Sequence, residues 1–195
     1  MKTYTVEFAT RHDTDALVRA HYLGRWPGVV TCTVGLLSEA QDRYIGVLVF
    51  ALPPRETCKR YSVSVAWELA RLFIEDETPK NTETWFMSRA VRMIRKRYPA
   101  VELLVSYADP SRGHSGTIYR AGNWIDDGQT DQERKTPRFD YVSGSKHYSR
   151  RAHALTGPAF APLVKVPRVS KHRFIYWMRD HEKKRLESHR KTVII

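Results

Sequence analysis

Hydrophobic and polar positions near the start of the chain predict a strand followed by a helix. Residues 4–8 alternate between apolar and polar side chains, a period of two that is typical of a strand with one buried face. Apolar residues then recur at helical spacing, which predicts a helix that starts at Asp13 or Thr14 and ends near Gly24.

The next segments predict a hairpin and a central strand. Thr31–Leu37 and Tyr44–Phe50 are β-rich runs separated by polar residues, which favours antiparallel neighbours. Trp67–Ile74 carries apolar groups on both faces, as expected for a central strand. The pattern beyond it predicts a helix over about Glu83–Tyr98, capped by Asn81 or Thr82. A buried strand over Val101–Tyr107, a short helix around Thr117–Ala121 and a strand from Asn123 are predicted to follow.

The predicted order, β-α-β-β-β-α-β-α-β, is similar to that of the GCN5-related N-acyltransferase fold. The expected class is therefore α/β (α+β), with a mixed central sheet flanked by helices. Residues 1–130 are expected to form the acyltransferase-like core, and residues 131–195 a basic, aromatic-rich extension packed on it. FDYVSG and RFIYW in this extension are long enough to be strands, whereas the segment from about residue 180 lacks an apolar stripe and is interpreted as a solvated tail or a surface helix.

Charge is distributed unevenly along the 195 residues. The chain has 33 Lys and Arg against 21 Asp and Glu, a formal net charge of +12. Residues 1–133 contain 17 residues of each sign, so the whole excess lies in the last third of the chain. Cations there alternate with aromatic residues, a pattern that favours phosphate contacts and base stacking over a solvated tail or a membrane patch.

Composition excludes several classes of protein. With 42% hydrophobic residues the chain can bury a sizeable core, and a collagenous or wholly disordered protein is excluded. The longest apolar run, Ile45–Leu52, is about half of what a bilayer requires, and no secretion signal is visible, so a soluble protein without a membrane partner is expected. Cys32 and Cys58 are too few for a disulfide framework and lack zinc-site spacing, which favours a reducing cytoplasm.

The densest group of polar side chains lies between Ser106 and Trp124, where a buried strand is expected to lead into a loop and a short helix. Catalytic groups commonly follow the carboxyl ends of strands, where a rigid sheet positions them. Asp109-Pro110 also has the form of a turn, so Asp109 is either functional or a cap of the next segment. For His114 a functional and a structural role are equally open.

This stretch resembles the signature of the Mom family of phage DNA-modification proteins. In that family a strand ending in serine, aromatic, alanine and aspartate leads to a GHxGxxYxAxNW run, and Gly113–Trp124 fits the run at every specified position. His21–Pro27 (HYLGRWP) and Trp67–Pro79 (WELARLFIEDETP) are also similar to the family, as are the strand IGVLVF and the helix with Ser88-Arg89. The resemblance covers most of residues 20–128.

The resemblance implies functional roles for His21, Tyr22, Arg71, Asp109 and Tyr119. From the residues alone, His21 and Tyr22 are either packing residues at a helix end or functional. Arg71 lies in an apolar strand and needs an anionic partner, which is Glu68, Glu75, or a phosphate or carboxylate of a ligand. Five further residues are candidates for binding the substrate: Ser106, His114, Ser115, Trp124 and Arg89.

The resemblance implies that the acceptor is N6 of adenine in double-stranded DNA and that the product carries a carbamoylmethyl group, which protects phage DNA from host restriction. Because the exocyclic amine is a weak nucleophile, the base must be flipped, oriented and deprotonated. Asp109 and His21 are the candidate bases, and Arg71 is placed to stabilise an oxyanion. Tyr22, Trp124 and Tyr119 suit stacking of the flipped adenine.

The donor is predicted from a loop and from an atom count. The loop at residues 75–83 has four acidic residues and no glycine, so it is a poor cradle for the pyrophosphate of coenzyme A. A glycyl amide at N6 is an isomer of the carbamoylmethyl product, which favours an activated glycine such as glycyl-tRNA. A metal-assisted route, for example with iron held by His21, Tyr22 and Asp109, is the rival hypothesis.

Two other functions stay open on the sequence. The chain is alternatively an acetyl-CoA-dependent N-acetyltransferase of a protein or small molecule, or a nucleic-acid-binding module without catalysis. Neither a monomer nor a homodimer is favoured by the sequence. The candidate nucleic-acid contacts in the C-terminal third are Lys146, Arg150, Arg151, Lys165, Arg168, Lys171 and Arg173.

Overall fold

The computed structural model describes residues 4–132, 134–143, 146–149 and 164–179. The strands are β1 (Tyr4–Phe8), β2 (Val30–Ser38), β3 (Arg43–Ala51), β4 (Ala66–Ile74), β5 (Leu103–Ala108), β6 (Ile125–Gln129), β7 (Phe139–Ser143), β8 (Lys146–Ser149), β9 (Val164–Pro167) and β10 (His172–Trp177). The helices are α1 (Arg11–Ala20), α2 (Glu56–Tyr61), α3 (Thr82–Arg97) and α4 (Thr117–Ala121), with a short 3₁₀ turn at Pro110–Arg112.

Seven strands form the main sheet in the order β1-β2-β3-β4-β5-β10-β6, and β8-β7-β9 form a second sheet. The predicted α/β class, the mixed central sheet and the hairpin are confirmed. None of the helices in the described part of the chain combines the length and the hydropathy that a membrane crossing requires.

Helices cover both faces of the main sheet. The predicted apolar stripe of α3 is confirmed, because Phe86, Ala90 and Ile94 are fully buried against one face. α1 packs on the opposite face through Leu17 and Val18. Tyr61 of α2 packs on that same face near β5 and β10.

Two predicted boundaries are corrected by local backbone chemistry, and one helix was not predicted. α1 begins at Arg11 rather than at Asp13 or Thr14, because Thr10 and Asp13 form a reciprocal capping box. β6 begins at Ile125, since Asn123 has a left-handed φ of 60° that does not fit a strand. The sequence analysis also missed α2, whose six residues are too few to show a helical period.

β4 and β5 are parallel neighbours for only part of their length. Their pairing ends at Glu68 and Val105, although β4 continues to Ile74 and β5 to Ala108. The register between β3 and β4 also shifts, because Val49 pairs with Arg71 and Phe50 pairs with Leu69. Ala70 is therefore the extra residue of a β-bulge beside the place where the two parallel strands separate.

β10 joins the C-terminal third of the chain to the main sheet, where it lies between β5 and β6. The strands predicted in FDYVSG and RFIYW are thus confirmed as β7 and β10. Phe174 of β10 is fully buried and stacks on Tyr119, with 5.0 Å between ring centroids. The predicted boundary between core and extension at residue 130 stays a prediction. β10, which lies beyond that residue, is a strand of the same sheet as β1–β6.

We expect Gly116→Ala to destabilise the fold far more than Gly113→Ala. Both glycines have a left-handed φ, which costs an alanine about 1–2 kcal/mol. A Cβ on Gly116 would also overlap the Phe174 ring, whereas a Cβ on Gly113 meets no atom within 4 Å. Chemical unfolding should therefore show a loss of about 1 kcal/mol for Gly113→Ala and about 3 kcal/mol or more for Gly116→Ala. Equal losses would contradict the packing of β10 against the loop before α4.

Candidate active site

A cavity of about 310 Å³ lies where β4 and β5 separate. Tyr119 lines it from the face covered by α3, and Tyr107 lines it from the opposite face. The cavity therefore connects the two faces of the sheet. Its lining residues are His21, Tyr22, Leu69, Ala70, Leu72, Tyr107, Ala108, Gly113, His114, Ser115, Gly116, Thr117, Ile118 and Tyr119.

The hydroxyl groups of Ser106 and Tyr119 form a buried pair beside the cavity. Ser106 Oγ lies 2.8 Å from the Leu69 carbonyl oxygen and 2.8 Å from the Tyr119 hydroxyl oxygen. A carbonyl only accepts, so the single hydroxyl hydrogen of Ser106 goes to Leu69 and Tyr119 donates to Ser106 Oγ. Burial raises the pKa of Tyr119 to about 12, which keeps its phenol protonated at neutral pH.

His21 is a neutral hydrogen-bond donor. Its side chain is buried at the end of α1, and its Nδ1 accepts the backbone N–H of Leu23 at 3.2 Å. Burial, with the nearby charge of Arg71, lowers the pKa of His21 to about 4. Because Nδ1 accepts a hydrogen bond in this neutral ring, the proton is assigned to Nε2, which makes His21 a donor rather than a base at neutral pH.

Three aromatic rings form a row beside the cavity, which we call the aromatic row: His21, Tyr22 and His114. Ring centroids are 4.3 Å apart for His21 and Tyr22 and 5.2 Å apart for Tyr22 and His114. Tyr22 is 42% exposed, so part of its ring is open to a ligand. The row can stack a planar group such as a nucleobase.

Arg71 is buried without a carboxylate partner. The bulge at Ala70 places it on the α1 face, where its Nε donates to the Arg25 carbonyl at 2.9 Å and its Nη1 to the Ala70 carbonyl at 2.6 Å. Within the described ranges no carboxylate lies within 4.0 Å of its guanidinium, and Glu75, one expected partner, pairs with Arg43 instead. A guanidinium bonded only to carbonyls retains its full positive charge for an anionic ligand.

Glu68 is a candidate functional residue that the sequence analysis considered only as a partner for Arg71. It occupies the last paired position of β4 before the strands separate. Burial raises its pKa, while the charges of Arg71 and Lys171 act in the opposite direction. An acidic residue inside an otherwise apolar strand was the signal that could have identified it.

Asp109 is held as a carboxylate by its neighbours. Its Oδ1 accepts the backbone N–H of Ser111 at 3.1 Å, and its Oδ2 lies 2.9 Å from Lys171 Nζ. Burial alone would raise its pKa, but these hydrogen bonds and the charge of Lys171 outweigh it, and the pKa of Asp109 is lowered. The predicted cap of the following 3₁₀ turn is confirmed. A carboxylate so well stabilised is a weak base.

Two predicted substrate contacts lie elsewhere. Trp124 is 5% exposed and packs on Tyr119 and Tyr176 in the core, so it does not stack a ligand in the cavity. Arg89 lies on the exposed face of α3 above the Trp85 ring, at 5.6 Å, and does not line the cavity. Burial could not be inferred for Trp124 from its sequence neighbours, because Asn123 and Asp126 beside it are polar and the segment shows no clear period.

Most described cations of the C-terminal third have carboxylate partners. Arg173 is buried and its Nε donates to Asp127 at 2.7 Å. This bond links β10 to β6, and the side chain is not exposed to a phosphate. Arg168 Nε donates to Asp140 at 2.9 Å, and Lys171 pairs with Asp109. Lys165 is exposed and lies 4.2 Å over the Phe139 ring. Arg150, Arg151 and the side chain of Lys146 lie outside the described residues.

The loop between β4 and α3 does not fit the pyrophosphate of coenzyme A. Asn81 is the N-cap residue of α3, as predicted, but it has a left-handed φ of 70° and its side chain makes no capping hydrogen bond. No glycine in the loop allows close approach of a phosphate. Asp76 and Glu83 add negative charge there. In the described part of the chain, no three His, Cys, Asp or Glu side chains are grouped so that they could hold a metal ion.

Comparisons with known proteins agree with this architecture. The model of the Mom protein family matches residues 3–193. A 57-residue segment, 29% of the chain, is 40% identical to the protein named methylcarbamoylase mom of Escherichia phage Mu, and it spans 24% of that protein's length.

Solved structures similar to the chain are acetyltransferases. The ribosomal-protein-S5-alanine acetyltransferase of Vibrio fischeri has a TM-score of 0.55 at 9% identity, with 92% of this chain and 96% of that chain covered. The spermidine/spermine N-acetyltransferase SpeG of Vibrio cholerae has a TM-score of 0.53 at 10% identity, with 93% and 96% covered. At this identity the likeness shows the fold alone, which is the expected GCN5-related N-acyltransferase fold.

Replacing His21 by Gln should remove part of the acid sensitivity of folding. The folded-state pKa of about 4 lies below the ordinary value of 6.5, so the native state disfavours the proton. The neutral His21 therefore contributes on the order of 3 kcal/mol to the free energy of unfolding. The contribution is fully present above pH 6.5 and is lost as the pH falls toward 4. Unfolding free energies measured across this range should fall less steeply for His21→Gln than for the unmodified chain. His12→Gln, at a side chain 98% exposed, is the control, and a His21→Gln curve parallel to that of the unmodified chain would refute the assignment.

Proposed function

The chain belongs to the Mom protein family, and from this membership and the cavity between β4 and β5 we propose that it is a transferase that modifies adenine in DNA at N6. The observation that carries the proposal is the cavity itself, which has stacking rings at one side and protonated hydroxyls at the other. A flipped base and a separate donor can therefore meet in it from opposite faces of the sheet.

The aromatic row is the proposed site of the flipped adenine. Tyr22 is the exposed aromatic residue of this row, and base stacking on an aromatic ring contributes about 1–3 kcal/mol. This energy offsets part of the cost of extruding the base from the duplex. We propose that adenine stacked there points its N6 edge into the cavity that the three rings line.

The proposed donor is a glycyl ester of tRNA. N6 attacks the ester carbonyl, the C–O bond to the ribose breaks, and the first product is the amide N6–CO–CH₂–NH₂. The glycyl amine then attacks C6, and the original C6–N6 bond breaks. The product is N6–CH₂–CO–NH₂, in which the glycine nitrogen is bound to C6 and the former N6 has become the amide nitrogen. All atoms are retained, and no oxidant or reductant is required.

The residues of the site suit these steps. The Nε2–H of His21, which lines the cavity, suits the oxyanion that forms when N6 attacks the carbonyl, and the nearby charge of Arg71 adds to this stabilisation. Tyr119, protonated at neutral pH, can give a proton to the ribose oxygen as it leaves. Glu68 lies where β4 and β5 separate beside the cavity, whereas the carboxylate of Asp109 is held by Ser111 and Lys171. With a raised pKa at Glu68 and a lowered one at Asp109, Glu68 suits the role of base better.

The fate of nitrogen tests the donor and the rearrangement together. We expect enzyme, duplex DNA and [¹⁵N]glycyl-tRNA to yield modified adenine whose ¹⁵N is retained after acid hydrolysis of the terminal amide, because the glycine nitrogen is then bonded to C6. Mass spectrometry of the nucleosides reads this directly. Release of the label as [¹⁵N]glycine, which leaves unlabelled adenine, would reveal an unrearranged glycyl amide and refute the rearrangement. Modification with acetyl-CoA but not with glycyl-tRNA would refute the donor.

Substitution of Glu68 tests the base. We expect Glu68→Gln to reduce kcat by about 10²–10⁴-fold and to abolish the acidic limb of the pH–rate profile. With Glu68 intact, activity should be present above its raised pKa and be lost below it, so the limb lies above the usual range of a glutamate. Glu83→Gln, on the first turn of α3, is the matched control. An acidic limb that persists in Glu68→Gln and disappears in Asp109→Asn would assign the base to Asp109 instead.

A further inference from the structure

One face of α3 carries an uncompensated basic stripe, which we call the α3 stripe: Trp85, Arg89, Arg92 and Lys96. These residues follow one another at four, three and four positions, so they share the helix face opposite the buried Phe86, Ala90 and Ile94. With Tyr4, Thr5 and Val6 of the edge strand β1 they line a groove of about 500 Å³.

Among the described residues, the cations of the stripe lack acidic partners. Within the described ranges no carboxylate lies within 4.0 Å of Arg89, Arg92 or Lys96, and all three are exposed. Arg168, Lys171 and Arg173 in the C-terminal third are, by contrast, paired with aspartates. Stabilisation of the helix dipole accounts for cations in the last turn, but not for Arg89 and Arg92 in the middle of the helix.

Trp85 adds a stacking surface to this charge. Its side chain is 38% exposed, and the Arg89 guanidinium lies 5.6 Å from its ring. An exposed indole beside unpaired cations is the combination that binds unpaired nucleotides, by stacking a base and contacting its phosphates. Bases within a duplex are already stacked on each other and cannot use it.

The position of the stripe separates it from the aromatic row. α3 and α4 cover one face of the sheet, and His21 follows α1 on the other. A second groove, of about 330 Å³, runs between α3 and α4 and is lined by Trp85, Ser88 and residues 121–124. The start of α4 lines the cavity, and its end lines the second groove together with Trp85. The α3 stripe therefore lies on the side of the site where Tyr119 is found.

We propose that the α3 stripe binds RNA, with phosphates on Arg89, Arg92 and Lys96 and an unpaired base on Trp85. This inference rests on the proposed function, in which a glycyl-tRNA brings the donor while duplex DNA presents adenine to the aromatic row. Two polyanions then occupy opposite faces of the sheet and do not compete for one surface.

Binding of unacylated tRNA to the full chain tests the proposal without requiring any transfer. Fluorescence anisotropy with labelled tRNA should show binding weakened at least tenfold by Arg89→Ala/Arg92→Ala, with the salt dependence reduced by about 0.7 per lost phosphate contact. Trp85→Ala should weaken binding about tenfold, and Trp85→Phe should retain it. The matched control is Arg55→Ala/Lys59→Ala, which removes two exposed cations on and beside α2 and should change nothing.

A labelled DNA duplex of equal length decides the partner. The α3 variants should leave its affinity unchanged. If they weaken duplex binding as much as tRNA binding, or if they weaken neither, the proposal is overturned. Because these measurements use uncharged tRNA, a failure of glycine transfer would refute the donor chemistry and leave the measured RNA surface in place. Intact transfer with tRNA binding insensitive to the α3 variants would refute the surface and leave the chemistry.

Discussion

Where β4 and β5 stop pairing, their buried backbone groups need other hydrogen-bond partners. The side chains that act as these partners form part of the candidate site. The Leu69 carbonyl loses a neighbouring strand where the pairing ends at Glu68, and it accepts the hydroxyl of Ser106 instead. The Ala70 carbonyl, at the bulge, accepts the guanidinium of Arg71. An unpaired buried carbonyl costs about 1–3 kcal/mol, so these bonds are part of what keeps the sheet open at this place.

A consequence is that catalysis and folding share residues. Removing Ser106 would leave both the Leu69 carbonyl and the Tyr119 hydroxyl without their partner, and removing Arg71 would do the same to two carbonyls. Loss of activity in such variants would therefore not separate a chemical role from a structural one. Glu68 is a more informative position, because no hydrogen bond to it is found in the part of the chain that the structure describes and its effect can be followed in a pH–rate profile.

Local periodicity made the secondary structure predictable. The partners of the polar groups could not be predicted in this way. The buried apolar face of α3, formed by Phe86, Ala90 and Ile94, follows from residue spacing alone. Arg173 is different, since its partner Asp127 lies 46 residues away and is brought to it only by the insertion of β10 between β5 and β6. Long-range strand order also determined that Trp124 packs in the core. In the candidate site, the motif located a loop that lines the cavity, but the bulge that orients Arg71 left no signal in the sequence.

The charge of the chain illustrates the same limit. The excess of cations in the last third is real, yet the described ones there are largely neutralised by Asp109, Asp127 and Asp140. The first 133 residues are neutral in total, but within the described ranges no carboxylate lies within 4.0 Å of Arg89, Arg92 or Lys96. Net charge measures attraction at a distance, whereas a phosphate contact requires a cation that no carboxylate already holds. The distribution of unpaired cations, which only the fold reveals, is therefore the better guide to where a polynucleotide lies on this protein.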